Sequence, residues 1–356
     1  MSELNFASKL EQREQENSLR KLSLNKGLID FCSNDYLGHS QLKWQESNEI
    51  NGAGASRLIS GHFPIHEQAE QFIANYHQQE SALLFNSGYD ANLGLLSCIA
   101  QKNDTIIYDS LCHASIRDGI RLSASRSFSF KHNNTKDLKS KIKQSTAQCF
   151  VVVESVYSMD GDRAPLQEIE KICQSNNALL IVDEAHATGV YGQKGEGLCN
   201  SATTFARVHT FGKSLGCHGA VVLGSKTLIK YLINFSRPFI YTTAIAPNSV
   251  STILQSYKEM QRPQARKQLR DNINLFVEHI DNKNWLVSDS AIQSIIIAGN
   301  DSTKKAAKEI QEKGFDVRPI LYPTVEKGRE RLRICLHSFN KKEDIILLCK
   351  LLNQIK

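Results

Sequence analysis

Residues 178–189 read ALLIVDEAHATG, an apolar run that stops abruptly at two carboxylates, Asp183 and Glu184. Five apolar positions in succession are too few for a helix, and they do not alternate with polar ones. The run therefore reads as a strand buried on both faces. Residues 149–154, CFVVVE, repeat the design and also end on a carboxylate, Glu154. Between them Pro165 opens a helical stretch with apolar residues at Leu166, Ile169 and Ile172. The two runs begin about thirty residues apart, the length of one β-α-β unit. Thr105–Tyr108, Arg207–Phe211 and Ala220–Leu223 are further strand candidates. The fold class expected is α/β, a mostly parallel central sheet covered by helices on both faces.

Outward from this centre the pattern changes. Residues 1–26 read as a polar helical arm ended by Gly27, followed by an extended segment at Leu28–Phe31 and the turn-rich SNDYLG at 33–38. A polar helical stretch runs from about Ser249 to Ile280. Beyond it Ser294–Ala298, Phe315–Pro319 and Leu332–Leu336 alternate with helices at Thr303–Lys313 and Lys341–Gln354, which predicts a smaller α+β domain. The expected division is an arm at 1–45, a large domain at 46–250 and a small domain at 251–356.

The chain has 356 residues with a formal charge of +6, and no Lys/Arg block runs long enough for a nucleic-acid footprint. Lys136, Lys139 and Lys143 are spaced like one solvated helix face. Nine scattered cysteines without a C-x-x-C pair fit free thiols in a reducing compartment. The charged N-terminus lacks the apolar core of a signal peptide, and no stretch approaches a membrane span. A soluble, cytoplasmic protein is expected, with neither nucleic acid nor membrane as partner.

Ligands of an open parallel sheet bind outside the carboxyl ends of its strands. Three polar clusters stand at such ends: Glu154–Asp162 (ESVYSMDGD), Asp183–Gly189 (DEAHATG) and Thr210–Gly216 (TFGKSLG). Gly212-Lys213-Ser214 resembles the end of a P-loop, but the first glycine of that pattern falls on Arg207, so a nucleotide site fails. A lysine just after a glycine at a strand end can instead serve as a nucleophilic amine, whose neutral form desolvation favours. Asp183 closes an apolar strand, where a carboxylate is costly unless paired; a helix cap, a salt bridge, a metal and a pyridinium partner are the options. DEAHATG lacks the H-E-x-x-H order of a zinc peptidase, and Pro64 separates His62 from His66, so no metal is expected. Asn86–Asn92 is a turn leading into a helix, either an ordinary N-cap or an anion site.

Together these segments resemble the α-oxoamine synthases, pyridoxal-phosphate enzymes that condense an amino acid with an acyl thioester and release carbon dioxide. The resemblance runs in order through SNDYLG (33–38), GAGASRLISG (52–61), FNSGYDANLG (85–94), CHAS (112–115), ESVYSMDGDRAPL (154–166), DEAHATGVYG (183–192), TFGKSLGCHGA (210–220), IYTTAIAP (240–247) and RLRICLH (331–337). It implies an aspartate-aminotransferase-like large domain. GAGASRL, SDSAIQSIII (288–297) and RPILYPTVEKGRERLRICLH (318–337) narrow it to members that join L-alanine to a pimeloyl thioester on the route to biotin. Glycine-using sister enzymes, which make aminoketobutyrate or aminolevulinate, are the alternative.

The resemblance also implies roles. Lys213 would carry pyridoxal 5'-phosphate as a Schiff base and move protons at the substrate Cα. Asp183 would keep the pyridine nitrogen protonated, His113 would stack on the ring, and His186 would bond its phenolic oxygen. Ser87, Gly88, Tyr89, Ser158 and Thr210 would line the cofactor. Thr242 and Thr243 would reach the phosphate of a neighbouring subunit, implying a homodimer. Arg333 would grip the amino-acid carboxylate, with Asn34 and Thr324 near the same place. The acyl group would arrive on coenzyme A or on an acyl carrier protein. Two positions depart from the pattern: Leu321 stands where many members have arginine, and Glu326 where they have proline. Arg318 is the candidate to replace the lost charge.

Overall fold

A computed structural model of the chain describes residues 2–22, 24, 27–199 and 204–355. The chain divides into two compact units: Leu37–Ser158 with Arg163–Arg266, and Met1–Tyr36 with Met159–Asp162 and Lys267–Lys356.

The larger unit is built on a seven-stranded sheet. In chain order its strands are β1 (Ser81–Phe85), β2 (Thr105–Asp109), β3 (Arg126–Phe130), β4 (Cys149–Glu154), β5 (Leu179–Asp183), β6 (Ala206–Thr210) and β7 (Ala220–Gly224). Across the sheet they lie in the order β1-β7-β6-β5-β4-β2-β3. All neighbours are parallel except that β7 runs antiparallel to both β6 and β1. Only residues 211–219 separate β6 from β7, too short a link for the crossover a parallel pair requires.

The unbroken apolar runs are explained by the helices on both faces. Phe150, Val152 and Ile181 pack with Leu95, Leu96, Ile116 and Ile120 on one side. Val151, Val153, Leu180 and Val182 pack with Leu138, Ile142, Ile169 and Ile172 on the other. Alternation along a strand then decides where the polar ends point. Glu154 continues the face of Val152, and Asp183 continues that of Ile181. Both therefore belong to the face covered by α1 (Gly88–Ile99) and α2 (Ala114–Leu122).

The smaller unit carries a four-stranded antiparallel sheet in which Arg331–Cys335 lies between Arg318–Ile320 and Ile292–Ile296, with Trp285–Leu286 at the far edge. Helices Asn300–Glu312 and Lys342–Asn353 belong to the same unit. The stretch expected as one strand over Phe315–Pro319 is two: Phe315–Asp316 pairs with Ile29–Asp30, and Arg318–Ile320 joins the sheet.

Two helical readings are corrected. The N-terminal helix ends at Gln15 rather than running to Gly27. Asn17 takes a left-handed φ of 50°, and the Ser18 N–H bonds back to Arg13 O at 2.8 Å, a closure that ends a helix. The stretch from Ser249 to Ile280 is two helices, Pro247–Met260 and Gln264–His279. Pro263 lies between them and has no N–H to continue the helical bonding.

Candidate active site

The carboxyl ends of β4, β5 and β6 hold the chemistry of the larger unit. Glu154 and Asp183 stand in register on neighbouring parallel strands. Lys213 follows β6, and its Nζ lies 2.8 Å from Nε2 of the buried His186. The sequence candidates Lys213, His186 and Asp183 thus occupy adjacent strand ends, as the sheet reading required.

Asp183 is 6% exposed. Its Oδ1 accepts the main-chain N–H of Ala185 at 2.8 Å, and its Oδ2 accepts Asn92 Nδ2 at 2.7 Å. Among the described residues no lysine or arginine forms an ion pair with it. A buried carboxylate bonded only by neutral donors is placed to pair with a cationic ligand group.

His113 caps α2, accepting the Ser115 N–H at Nδ1 (3.2 Å), and the same nitrogen is 2.8 Å from Ser115 Oγ. Ser115 Oγ also receives Asn92 Nδ2 at 3.0 Å. The His113 main-chain N–H donates to Glu154 Oε1 at 2.5 Å. Desolvation pushes the His113 ring below the usual imidazole range; Lys213 adds to this and Asp183 opposes it. Burial, together with the charge of Asp183, pushes Glu154 up to about 8, although Lys213 and the His113 N–H pull the other way.

Sequence reading named His113 but missed Asn92, Ser115 and Glu154 as its supports. The signal available was polarity in an apolar setting: Asn92 interrupts a helix otherwise rich in buried Ala91, Leu95 and Leu96.

The start of α1 is tightly built. Ser87 is its N-cap, accepting the Asp90 N–H at 3.1 Å and donating to Asp90 Oδ2 at 2.8 Å, so the N-cap reading holds for its hydroxyl. A Cβ placed on Gly88 would come within 3.2 Å of Thr210 Oγ1, so a side chain here would crowd β6. The main-chain N–H groups of this first turn remain suited to an anion. Tyr89 is 43% exposed, and its hydroxyl donates to Asp118. Ser158 is half-buried in the turn after β4. Asn86 Nδ2 donates to Thr242 Oγ1 at 3.2 Å and to Thr243 O at 2.8 Å. Both threonines were expected to serve a neighbouring subunit; these contacts are with their own chain.

In the smaller unit Arg333 is 9% exposed. Its Nη2 donates to Asn34 Oδ1 at 2.9 Å, and its Nη1 lies 3.0 Å from Cys335 Sγ. Asn34 Oδ1 also accepts Tyr36 Oη at 3.0 Å. Arg333 and Asn34 are therefore together, as expected. Thr324 is not with them in any hydrogen bond; its Oγ1 accepts Arg20 Nη2 at 3.2 Å, a contact the sequence did not reveal. Arg318 gives its fork to Asp316, with Nε–Oδ1 at 2.5 Å and Nη2–Oδ2 at 3.1 Å. That pairing makes Arg318 a poor substitute for the arginine absent at Leu321, because its charge is already neutralised.

The larger unit's residues fit a phosphorylated pyridine aldehyde. An amine sits beside an imidazole, a buried carboxylate has no lysine or arginine ion pair among the described residues, and a helix N-terminus begins at a glycine where a side chain would crowd Thr210. No helix among the described residues is long and apolar enough to cross a membrane.

The profile of the family described as aminotransferase class I and II matches residues 26–350. The 8-amino-7-oxononanoate synthase of Emericella nidulans is 36% identical, covering 94% of this chain and 91% of its own. That of Methylococcus capsulatus is 37% identical over 89% of this chain and 86% of its own. Among solved structures, 8-amino-7-oxononanoate synthase from Francisella tularensis is 31% identical with a TM-score of 0.78, covering 93% of this chain and 98% of that one. Serine palmitoyltransferase of Sphingomonas wittichii is 27% identical with a TM-score of 0.85, covering 92% and 87%.

Proposed function

Because the chain belongs to the aminotransferase class I and II family and, within it, to the α-oxoamine synthases, we propose that it condenses L-alanine with a pimeloyl thioester. The products are 8-amino-7-oxononanoate, carbon dioxide and the free thiol. The observation that carries the cofactor part of this reading is Lys213 Nζ held 2.8 Å from His186, with Asp183, hydrogen-bonded by Asn92 and the Ala185 N–H, ending the neighbouring β5.

Pyridoxal phosphate, when bound, supplies the electron sink that lets the amino-acid Cα lose a proton. Lys213 would hold it through Nζ and move the proton at that Cα. Asp183 would keep the pyridine nitrogen protonated, and His186 would bond the phenolic oxygen. The first turn of α1, from Ser87 and Gly88, would take the phosphate with help from Thr210 and Ser158. Thr242 and Thr243 would contribute phosphate contacts in a homodimer. Arg333, steadied by Asn34, would fix the alanine carboxylate; its planar fork matches a carboxylate in a way lysine cannot.

The narrow part rests on the relatives named above and on the segments at 288–297 and 318–337. Supplying alanine with pimeloyl-CoA tests it: 8-amino-7-oxononanoate and carbon dioxide should form together. A preference for glycine with acetyl-CoA or succinyl-CoA would instead make the chain a glycine-using sister enzyme.

A further inference from the structure

His113 has two ring nitrogens, and its surroundings leave one place for the proton of the neutral ring. Asp183 accepts from Ala185 N–H and from Asn92 Nδ2. A carboxylate can only accept, so the Asn92 amide must turn its NH2 group toward it. The same NH2 is 3.0 Å from Ser115 Oγ, which takes the second amide hydrogen. His113 Nδ1 lies 2.8 Å from the same hydroxyl. The Ser115 main-chain N–H, always a donor, meets the same nitrogen at 3.2 Å. That N–H makes Nδ1 an acceptor, so the Ser115 hydroxyl must turn its own hydrogen to Nδ1, which leaves no room for a hydrogen on the ring nitrogen.

We infer that Asn92 and Ser115 are positioning residues that fix His113 as its Nε2–H tautomer, so that His113 meets its ligand as a hydrogen-bond donor and not as a base. The bonds run in one direction, from Asn92 to Ser115 to His113, and the Ser115 main-chain N–H sets it. Glu154 holds the backbone of the same residue from β4, so ring and main chain are gripped by different elements. The titratable groups acting on His113 are Asp183 on β5, Lys213 after β6 and Asp118 on α2, with Glu154 at its main chain. Desolvation of the ring favours the neutral form in which a tautomer has meaning. The consequence for catalysis rests on the function proposed above; the tautomer itself does not.

Histidine ring nitrogens labelled with ¹⁵N report the tautomer directly in the cofactor-loaded protein, with His113 assigned by the signals lost in His113→Asn. The expected result is an unprotonated Nδ1 and a protonated Nε2. Ser115→Ala removes a donor that opposes protonation, so the ring should take up a proton roughly five- to tenfold more readily. Ser115→Thr should restore the wild-type titration. A hydrogen on Nδ1 in the wild type would overturn the inference, as would a Ser115→Ala titration identical to wild type. If Ser115→Ala does not fold, the wild-type and Ser115→Thr spectra decide. A protein with the expected tautomer but no turnover of alanine with pimeloyl-CoA would overturn the proposed substrates and support the tautomer.

Discussion

Glu154 and Asp183 stand opposite each other at the carboxyl ends of two parallel strands, both buried. Two carboxylates so placed cannot both ionise cheaply, and their surroundings divide the work. Asp183 is satisfied by two donors, whereas burial and the charge of Asp183 drive Glu154 to hold its proton up to about 8.

The stability consequence has a definite sign. The ordinary glutamate value is 4.5, so between there and about 8 the folded chain binds a proton that the unfolded chain does not. This contribution is complete below the unfolded value and is lost as pH rises through the folded one. Glu154→Gln keeps an acceptor for His113 N–H and cannot ionise. Its melting temperature relative to wild type should therefore climb by a few degrees between acidic and mildly alkaline solution. A difference that stays constant with pH would contradict this account of Glu154.

Arg333 is the second point of leverage. Arg333→Lys should lower kcat/KM for alanine by roughly a hundredfold, mostly through KM, because a point charge cannot reproduce a bidentate fork. Asn34→Ala should have the same direction and a smaller size, since it removes only a bond that steadies the guanidinium. Steady-state kinetics with varied alanine and saturating acyl donor separates these effects. An unchanged KM in Arg333→Lys would place the carboxylate elsewhere.

Arg331 forms an ion pair with Asp160, their side chains only 5% and 16% exposed. Burial pushes the Arg331 guanidinium down to about 10. Removing Asp160 strands that charge, so Asp160→Ala should cost about 3 kcal/mol in chemical denaturation. The double variant Asp160→Leu, Arg331→Met should recover most of the loss, because apolar groups replace both charges. Equal destabilisation by the single and double variants would show that the pair is not the cause.

The parallel sheet was legible because strands buried on both faces leave unbroken apolar runs, and the carboxylates that end those runs marked Asp183 at once. Lys213 was legible through its place after a strand and a glycine. The supports of His113 were not: Asn92 and Asp183 meet across 91 positions of sequence, and Asn92 and Ser115 across 23. Such contacts arise from how α1 and α2 cover one face of the sheet, and no local pattern encodes them. The reversal of β7 could have been read from the short link before it. The loss of Arg318 to Asp316 could not, because Asp316 ends one short strand and Arg318 opens another, where the sequence read a single strand.

The central claim is that Lys213 carries the cofactor, and absorbance of the purified, cofactor-replete protein tests it most directly. The wild type should show the visible band of a lysine-bound pyridoxal group, whose absorbance belongs to the cofactor. Lys213→Ala should lose that band, and borohydride should fix the cofactor to Lys213 in the wild type alone. A wild-type protein without the band, or a Lys213→Ala protein that keeps it and its reducible link, would contradict the account.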